Sequence, residues 1–407
     1  MGAPPRPGRL EDAARAAQPG IVVRIMSEIQ LGTAPSASRA RRRGILVYGM
    51  YDLGRLDRAP EVRIAMMTGA LGRQIHTELI SGGRWGRFRA SLGWLARGGP
   101  RRVGAVYVES STANAMPTDL VFLALLRLMR RPVGVYFRDA YQLFRHVHPR
   151  TRRRQIVTDW LWRVSTPLLK GVASVRYAPS RGLAAALKLA DPILLPPGTD
   201  PSLPDLGMGE PDVVGAVVQV GPRSGFDTLL EAMKLVRQRR PAARLRVGSQ
   251  TAGDAVSAGL PDWVEVEPAG RASLADVLRP ARVCVLPLPI NDYTNLAVAV
   301  RLLDFMGFGK PIVVTDTDET RAIIAASEAG TVTPDTAPGL AAGILRVLED
   351  DRLAAQMAGN ARLYACSPGA TWDARAQTVL ATLGLAVPAA EGMAPAFGGD
   401  ARADVPD

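Results

Sequence analysis

The stretch Val283 to Asp316 constrains the fold more than any other part of the chain. It opens on Val283-Cys284-Val285-Leu286, a short apolar run stopped by Pro287, which suits a strand buried on both faces of a parallel sheet. A polar loop from Pro289 to Leu296 follows, carrying Asn291, Asp292, Tyr293, Thr294 and Asn295. Apolar residues then recur at Val298, Leu302, Phe305 and Met306, which predicts a helix with Arg301 and Asp304 as neighbours on one face. Gly307 and Gly309 end it, and Ile312-Val313-Val314-Thr315 reads as a second buried strand. Strand, helix and parallel strand in that order leave the loop at the carboxyl end of the first strand, where α/β sheets bind ligands. A helix starting near Leu296 to Val298 would aim free N–H groups and a positive dipole end at an anion such as a phosphate. Asp304 could accept hydrogen bonds from ribose-like hydroxyls.

The same alternation runs through most of the chain. Residues 1–43 are rich in Ala, Pro, Gly and Arg without a sustained period and read as a disordered tail, with Met26 as an alternative start. From residue 44 to 200, apolar strands at Ile45 to Tyr48, Thr77 to Ile80, Gly104 to Val108, Val133 to Phe137 and Ser174 to Ala178 alternate with helical patterns. The helices are expected over Pro60 to Leu71, Trp85 to Ala96, Thr118 to Met129, Thr151 to Leu169 and Gly182 to Ala190. Pro196-Pro197-Gly198-Thr199-Asp200 is a turn, and 201–211 a Pro/Gly/Asp-rich linker. A second unit over 212–370 restarts with strands Val213 to Val220, Arg244 to Val247 and Trp263 to Val266. Thr371-Trp372-Asp373 heads a last helix over about 371–385, and 387–407 reads as a second disordered tail. A chain of 407 residues supports two cores of this kind.

Charge divides the two halves. The first 200 residues hold 32 basic against 13 acidic side chains, a balance of +19, and the remainder balances at −7. Nearly all the basic residues are arginine, so genomic composition accounts for part of the excess. Two cysteines, one in a predicted buried strand, exclude a disulfide framework and fit a reducing cytoplasm. The longest apolar run, Leu120 to Leu126, stops at Arg127, far short of a membrane span.

With these residues in place, a resemblance emerges. Asn295 to Val313 resembles the nucleotide-sugar loop of family 4 retaining glycosyltransferases of the GT-B fold, some of which read P-x-K-L-x-E-Y-x-x-x-G-K-P. Pro196 to Asp200 is similar to their P-N-G-V-D, and Asp227 to Met233 to their D-x-L-L-E-A-M. The resemblance covers about Ile45 to Leu385, more densely in the second half. It implies an α/β architecture of two Rossmann-like, doubly wound parallel-sheet domains facing a cleft. It also implies sugar transfer, with retention, from a nucleotide-diphosphate sugar to a glycan or lipid-linked acceptor in cell-surface polysaccharide or glycoconjugate synthesis. No metal or other cofactor is implied.

Gly49, after the first strand, is expected to allow close approach of the donor phosphate, turn geometry being the alternative reason for a glycine there. The carried-over site residues are Arg223, for the diphosphate; Thr294, Asn295 and Leu296 in the donor loop; and Arg301 and Asp304 on its helix. Lys310 is a second candidate for the cationic role of Arg301. Arg138 and Asp139, at a strand end where relatives carry His-Asp, are the catalytic candidates. Three departures stand out. The first of the family's two loop glutamates falls on Leu296 and the second on Asp304. No lysine follows Arg223, and an arginine, which cannot shuttle a proton, replaces the histidine. His146 and His148 lack further ligands and are expected as loop residues rather than a metal site. Rival readings are a catalytically impaired GT-B partner subunit and a nucleotide-sugar epimerase. A nucleic-acid module lacks the interleaved aromatics it would need.

One further expectation concerns location. Trp85, Phe88, Leu92 and Leu95 form a helical stripe among Arg84, Arg87, Arg89 and Arg97, and the helix after Arg150 adds cations together with Trp160 and Trp162. This predicts peripheral contact with an anionic membrane from the cytoplasmic side.

Overall fold

The computed structural model describes residues 44–54, 59–147, 153–221, 224–250, 259–270 and 273–385. Both expected tails lie outside the described residues, as do Arg223, His148 and Arg150.

Two six-stranded sheets, parallel throughout, carry the fold. The first joins β1 (Gly44–Gly49), β2 (Thr77–Ser81), β3 (Val103–Glu109), β4 (Val133–Tyr136), β5 (Val175–Ala178) and β6 (Ile193–Leu194) in the order β2-β1-β3-β4-β5-β6. The second joins β7 (Val213–Val217), β8 (Arg244–Ser249), β9 (Val264–Pro268), β10 (Val283–Leu286), β11 (Ile312–Thr315) and β12 (Gly330–Thr333) in the order β12-β11-β10-β7-β8-β9. In each sheet the chain builds outward from a central strand and then crosses to its other side. The crossing falls between β1 and β3 in the first sheet and between β7 and β10 in the second. Loops at such a reversal diverge and leave a crevice above the strand ends.

Helices cover both faces of each sheet, which is why inner strands such as β1, β10 and β11 are nearly all apolar, while β8 and the edge strand β9 alternate and pair Arg246 with Glu265 and Glu267. On one face of the first sheet lie α2 (Arg84–Ala96), α4 (Pro117–Leu128) and α5 (Arg153–Val172), with the short α3 (Gly99–Arg102) and α6 (Arg181–Ala186) beside them. Their core includes Tyr48, Trp94, Phe122, Leu126, Trp162 and Leu169. The opposite face holds α1 (Ala59–Gln74) and the last helix of the described chain, Trp372–Thr382, which returns from the second sheet to bury Trp372, Val379 and Leu380 against Ile45, Val47 and Ile64. The crossing is tight: Thr199 N–H donates to Ala370 O at 2.8 Å, and Trp372 N–H donates to Thr199 O at 3.2 Å. A side chain at Gly198 would collide with the Trp372 backbone.

On the second sheet, α7 (Phe226–Arg239) packs one face, while α8 (Leu274–Leu278) and α9 (Val300–Gly307) pack the other. Four elements that the sequence left undivided complete this domain: α10 (Asp318–Ser327), strand β12, α11 (Ala337–Glu349) and α12 (Asp351–Cys366). The returning helix is thus α13.

Several boundaries moved for identifiable reasons. The helix expected to reach Ala190 ends as α6 at Ala186, because Lys188 adopts a left-handed backbone (φ 50°) that no helix continues. The strand expected to Val220 stops at Val217, where the β7–α7 loop begins. Arg87, expected as a surface cation, is buried in a bidentate pair with Asp119 at 2.9 and 2.7 Å, and Trp162 is core. Lys310 is corrected too. Instead of facing a ligand it is fully buried, and its ammonium donates to the carbonyls of Gly207, Arg279 and Ala281 at 2.9, 3.0 and 2.8 Å. Burial lowers its pKa, and the three carbonyls tie the interdomain linker to the loop before β10. Lys310→Met is therefore expected to cost about 2 kcal/mol of stability through carbonyls left without a donor. A lower denaturant midpoint with unchanged slope would register it.

Candidate active site

The loops at the two reversal points build the site. In the first domain, Tyr51 follows β1 and Thr112 follows β3. Thr112 N–H donates to the Tyr51 hydroxyl at 2.7 Å, and the two hydroxyls are themselves hydrogen-bonded. The Thr112 hydroxyl donates onward to Asp139 Oδ2 at 3.2 Å, so three loops share one polar chain. Arg138 and Asp139 lie in the loop just past β4, which ends at Tyr136 rather than at the expected Phe137, and their partners differ from a free substrate-facing pair.

Arg138 leans back into the domain. Its guanidinium lies 3.3 Å from Glu109 Oε2 and 5.7 Å from the Tyr51 ring centre. Glu109, fully buried at the end of β3, also accepts from Arg63 Nε at 2.9 Å and from the Tyr107 hydroxyl at 2.6 Å. Arg63 in turn stacks 3.5 Å above the Tyr136 ring centre and faces Trp372 of α13. Burial works against the charge on both arginines, but the acidic and phenolic groups around them outweigh it and hold both pKa values above the ordinary arginine range. Glu109, Arg63 and Tyr51 escaped the sequence reading. Of these, only Glu109 carried a signal, as an acid closing an apolar strand.

In the second domain the donor loop is built by its own short polar side chains. Asn291 Oδ1 accepts from the backbone N–H of Tyr293 and Thr294, both at 3.0 Å, and the Thr294 hydroxyl donates to Pro289 O at 2.6 Å. Thr294–Leu296 forms a single 3-10 turn, and α9 begins only at Val300 with Ala299 as its cap residue. This corrects the expected start near Leu296 to Val298. The Asn291 and Thr294 hydrogen bonds close the chain into a turn before a helix can form. Thr294 is thereby engaged with its own backbone. Asn295 keeps a buried Oδ1 with no hydrogen-bond partner among the described residues.

Leu296, at the position of the family's first glutamate, turns to the other domain. Its side chain packs against Gly182 and the first-domain core, and its carbonyl accepts from the Ser180 hydroxyl at 2.6 Å. An apolar side chain finds its burial there instead of in a polar cleft. Arg301 and Asp304 do meet, at 3.2 Å, with Asp304 buried and Arg301 partly exposed. Arg223 lies outside the described residues; Gly225, two positions on, has a left-handed backbone (φ 79°) so close to Pro287 O that no side chain fits there. Gly225 caps the N-terminus of α7, which lies at the same reversal point as the donor loop. Gly49 has a packing reason of its own, since a Cβ there would press on Ile64 and Ser81 at 3.1 to 3.3 Å.

The two domains touch through this loop. The Tyr293 hydroxyl donates to Asp139 Oδ1 at 2.9 Å, and its ring lies 4.5 Å from that of Tyr141 and 5.8 Å from that of Phe144. Burial, reinforced by Asp139 and Tyr141, raises the Tyr293 pKa far above the usual phenol range, so the hydroxyl stays a donor. His146 reaches Asp292 at 3.2 Å at the exposed rim. Among the described residues no three His, Cys, Asp or Glu side chains gather as a metal site. No described helix is long and apolar enough to cross a membrane.

Residues 211–350, nearly the whole second domain, match the family described as glycosyl transferases group 1. The second domain is thus similar to a group 1 glycosyltransferase domain. A D-inositol 3-phosphate glycosyltransferase of Jonesia denitrificans is 26% identical over 187 residues, 42% of each chain, so the present chain spans about two fifths of the length of that curated relative. The two-sheet architecture is that of the GT-B fold. Sucrose-phosphate synthase from Thermosynechococcus elongatus superposes with a TM-score of 0.60 at 14% identity, over 83% of this chain and 97% of that one. HepE of Anabaena, solved in complex with UDP and glucose, gives 0.59 at 18% identity, over 84% and 99%. In this domain α7 follows β7, the loop carrying Asn295 follows β10, the two strands that meet at the reversal, and Asp304 lies on α9, into which that loop leads.

Proposed function

We propose that the protein transfers a sugar, with retention, from a nucleotide-diphosphate sugar to a glycan or lipid-linked acceptor, in cell-surface polysaccharide or glycoconjugate synthesis at the cytoplasmic face of the membrane. The observation that carries this reading is the position of the group 1 glycosyltransferase match on the domain whose reversal-point loop holds Asn295 and leads into α9 with Asp304. The UDP and glucose bound by a structural neighbour of the same fold support a donor of that class.

In this reading Asp304 accepts hydrogen bonds from the donor ribose, and the unpartnered Asn295 Oδ1 accepts one from the donor sugar or base. Arg223 and the N–H groups at the start of α7 receive the diphosphate, with Arg301 adding charge nearby. These fixed positive groups stabilise the departing diphosphate, so no divalent metal is required. Asp139 orients the acceptor hydroxyl, whose place is taken by the Tyr293 hydroxyl when the cleft is empty. Arg138, anchored by Glu109, keeps positive potential beside it. Leu296 contributes by holding the donor loop against the first domain, and Gly49 by keeping the β1 turn close-packed.

A panel of sugar nucleotides read by thermal shift, followed by donor-hydrolysis assays with and without EDTA, tests the reading. One donor should stabilise the protein and slowly release nucleoside diphosphate, with no loss in chelator. Absence of binding to every donor would overturn the transferase assignment, and activity that EDTA removes and magnesium restores would overturn the metal-free one.

A further inference from the structure

Eleven of the fifteen large apolar side chains that stand exposed among the described residues lie on α2, α4 and the loop just after it, and α5, the helices that share one face of the first sheet. On α5, Ile156, Trp160, Val164 and Leu168 recur every fourth residue along the outer side, while Trp162 and Leu169 point inward to the core. Val121 and Leu128 extend the surface on α4, with Leu128 at 81% exposure, and Trp85 ends it on α2 at 76%. The packing of the sheet consumes the inner stripes of these helices and leaves a second apolar stripe on each. A monomer rarely leaves a contiguous apolar surface of this extent without a use for it.

The charges on the same helices have one sign at the surface. The acidic residues within their spans are Asp119 and Asp159, and both are buried, the first against Arg87 and the second beside Arg145. Among the described residues of these helices, every exposed charged side chain is an arginine, among them Arg84, Arg89, Arg127 and Arg163. Two copies of the chain pressed together here would set arginine against arginine, which like-charge repulsion disfavours. A bilayer rich in anionic phospholipid satisfies both features, taking the indole and aliphatic side chains at the acyl boundary while the guanidinium groups reach the phosphates.

We infer that the outer face of α2, α4 and α5 is a docking surface for an anionic lipid bilayer. All three helices start at the carboxyl edge of the first sheet, so docking holds the Asp139 side of the cleft next to the lipid headgroups. The sequence pointed only to α2 and α5; α4 makes the surface continuous, and Arg87 and Trp162 are not part of it. The inference adds a partner to the proposed function but stands on residues outside the donor site, so the two fail separately.

Flotation of the full chain with phosphatidylglycerol-containing and pure phosphatidylcholine vesicles tests it, with no nucleotide present. Binding is expected to the anionic vesicles at low salt and to weaken steeply as salt rises. Arg127→Gln with Arg163→Gln should lower the partition coefficient roughly thirtyfold. Trp160→Ser with Leu128→Ser should lower it also at low salt, where charge alone would suffice for a purely electrostatic contact. Donor thermal shift measured on each variant should stay at the wild-type value. Equal partitioning of all variants, or no flotation of the wild type at low salt, overturns the inference. So does sedimentation of the wild type as a dimer that the Trp160/Leu128 variant dissociates, which would assign the face to a second copy.

Discussion

Glu109→Ala is expected to lower the unfolding free energy by about 3–5 kcal/mol, the usual consequence of leaving a buried cation without its partner. Arg63 is 1% exposed and Glu109 fully buried, so neither can recover a hydration shell when the other is removed. The cation already bears on two aromatic rings, Tyr136 and Trp372, one from the first sheet and one from the returning helix α13. Its loss of a counter-charge therefore reaches the crossing that joins the domains. Glu109→Gln, which keeps the shape and one acceptor oxygen, should cost less than the alanine variant. Urea denaturation of the three proteins reads the order directly. A Glu109→Ala protein within about 1 kcal/mol of wild type would show that Arg63 is stabilised by the rings alone. Arg138 provides the functional readout. Because Glu109 Oε2 anchors it, turnover should fall in both variants at temperatures where they remain folded.

Asp304→Asn is expected to weaken donor binding roughly a hundredfold while leaving stability almost unchanged. Charge-assisted hydrogen bonds to a pair of ribose hydroxyls are worth about 1.5–3 kcal/mol each, and an amide replaces only part of that. The ion pair with Arg301 gives the competing explanation, since a carboxylate buried on α9 needs some partner. Arg301→Ala separates the two. Arg301 is partly exposed and its removal leaves Asp304 able to bind a donor, so that variant should retain most of the affinity. If both variants lose affinity equally, Asp304 acts through Arg301 and is a positioning residue. If neither loses any, the donor ribose is held elsewhere.

The polar contacts across the cleft set how these results are to be read. The Tyr293 hydroxyl donates to Asp139 Oδ1, so this carboxylate joins the second domain to the first. Leu296 plays the apolar counterpart, seated against Gly182 with its carbonyl on Ser180. A glutamate at position 296 would have to bury its charge in that contact, which accounts physically for the leucine there.

The alternation of apolar runs and helical periods was enough, by itself, to determine two parallel α/β units and the strand-loop-helix order of residues 283–316. Burial on both faces leaves a central parallel strand such as β10 no polar position, and that signature is local. The resemblance carried by Asp304 and the D-T-L-L-E-A-M stretch was equally local and pointed to the family that the second domain matches. The helix start at Val300 was not legible, because it depends on Asn291 and Thr294 choosing their own loop's backbone over solvent. Nor could the sequence say that Lys310 is interior, that Arg87 neutralises Asp119, or that Tyr293 reaches Asp139 across 154 positions. A charged side chain reads the same in a sequence whether it meets water or a buried partner. Only the tertiary structure, by deciding which groups lose their water together, decided which cations are structural and which remain on the surface of α2, α4 and α5.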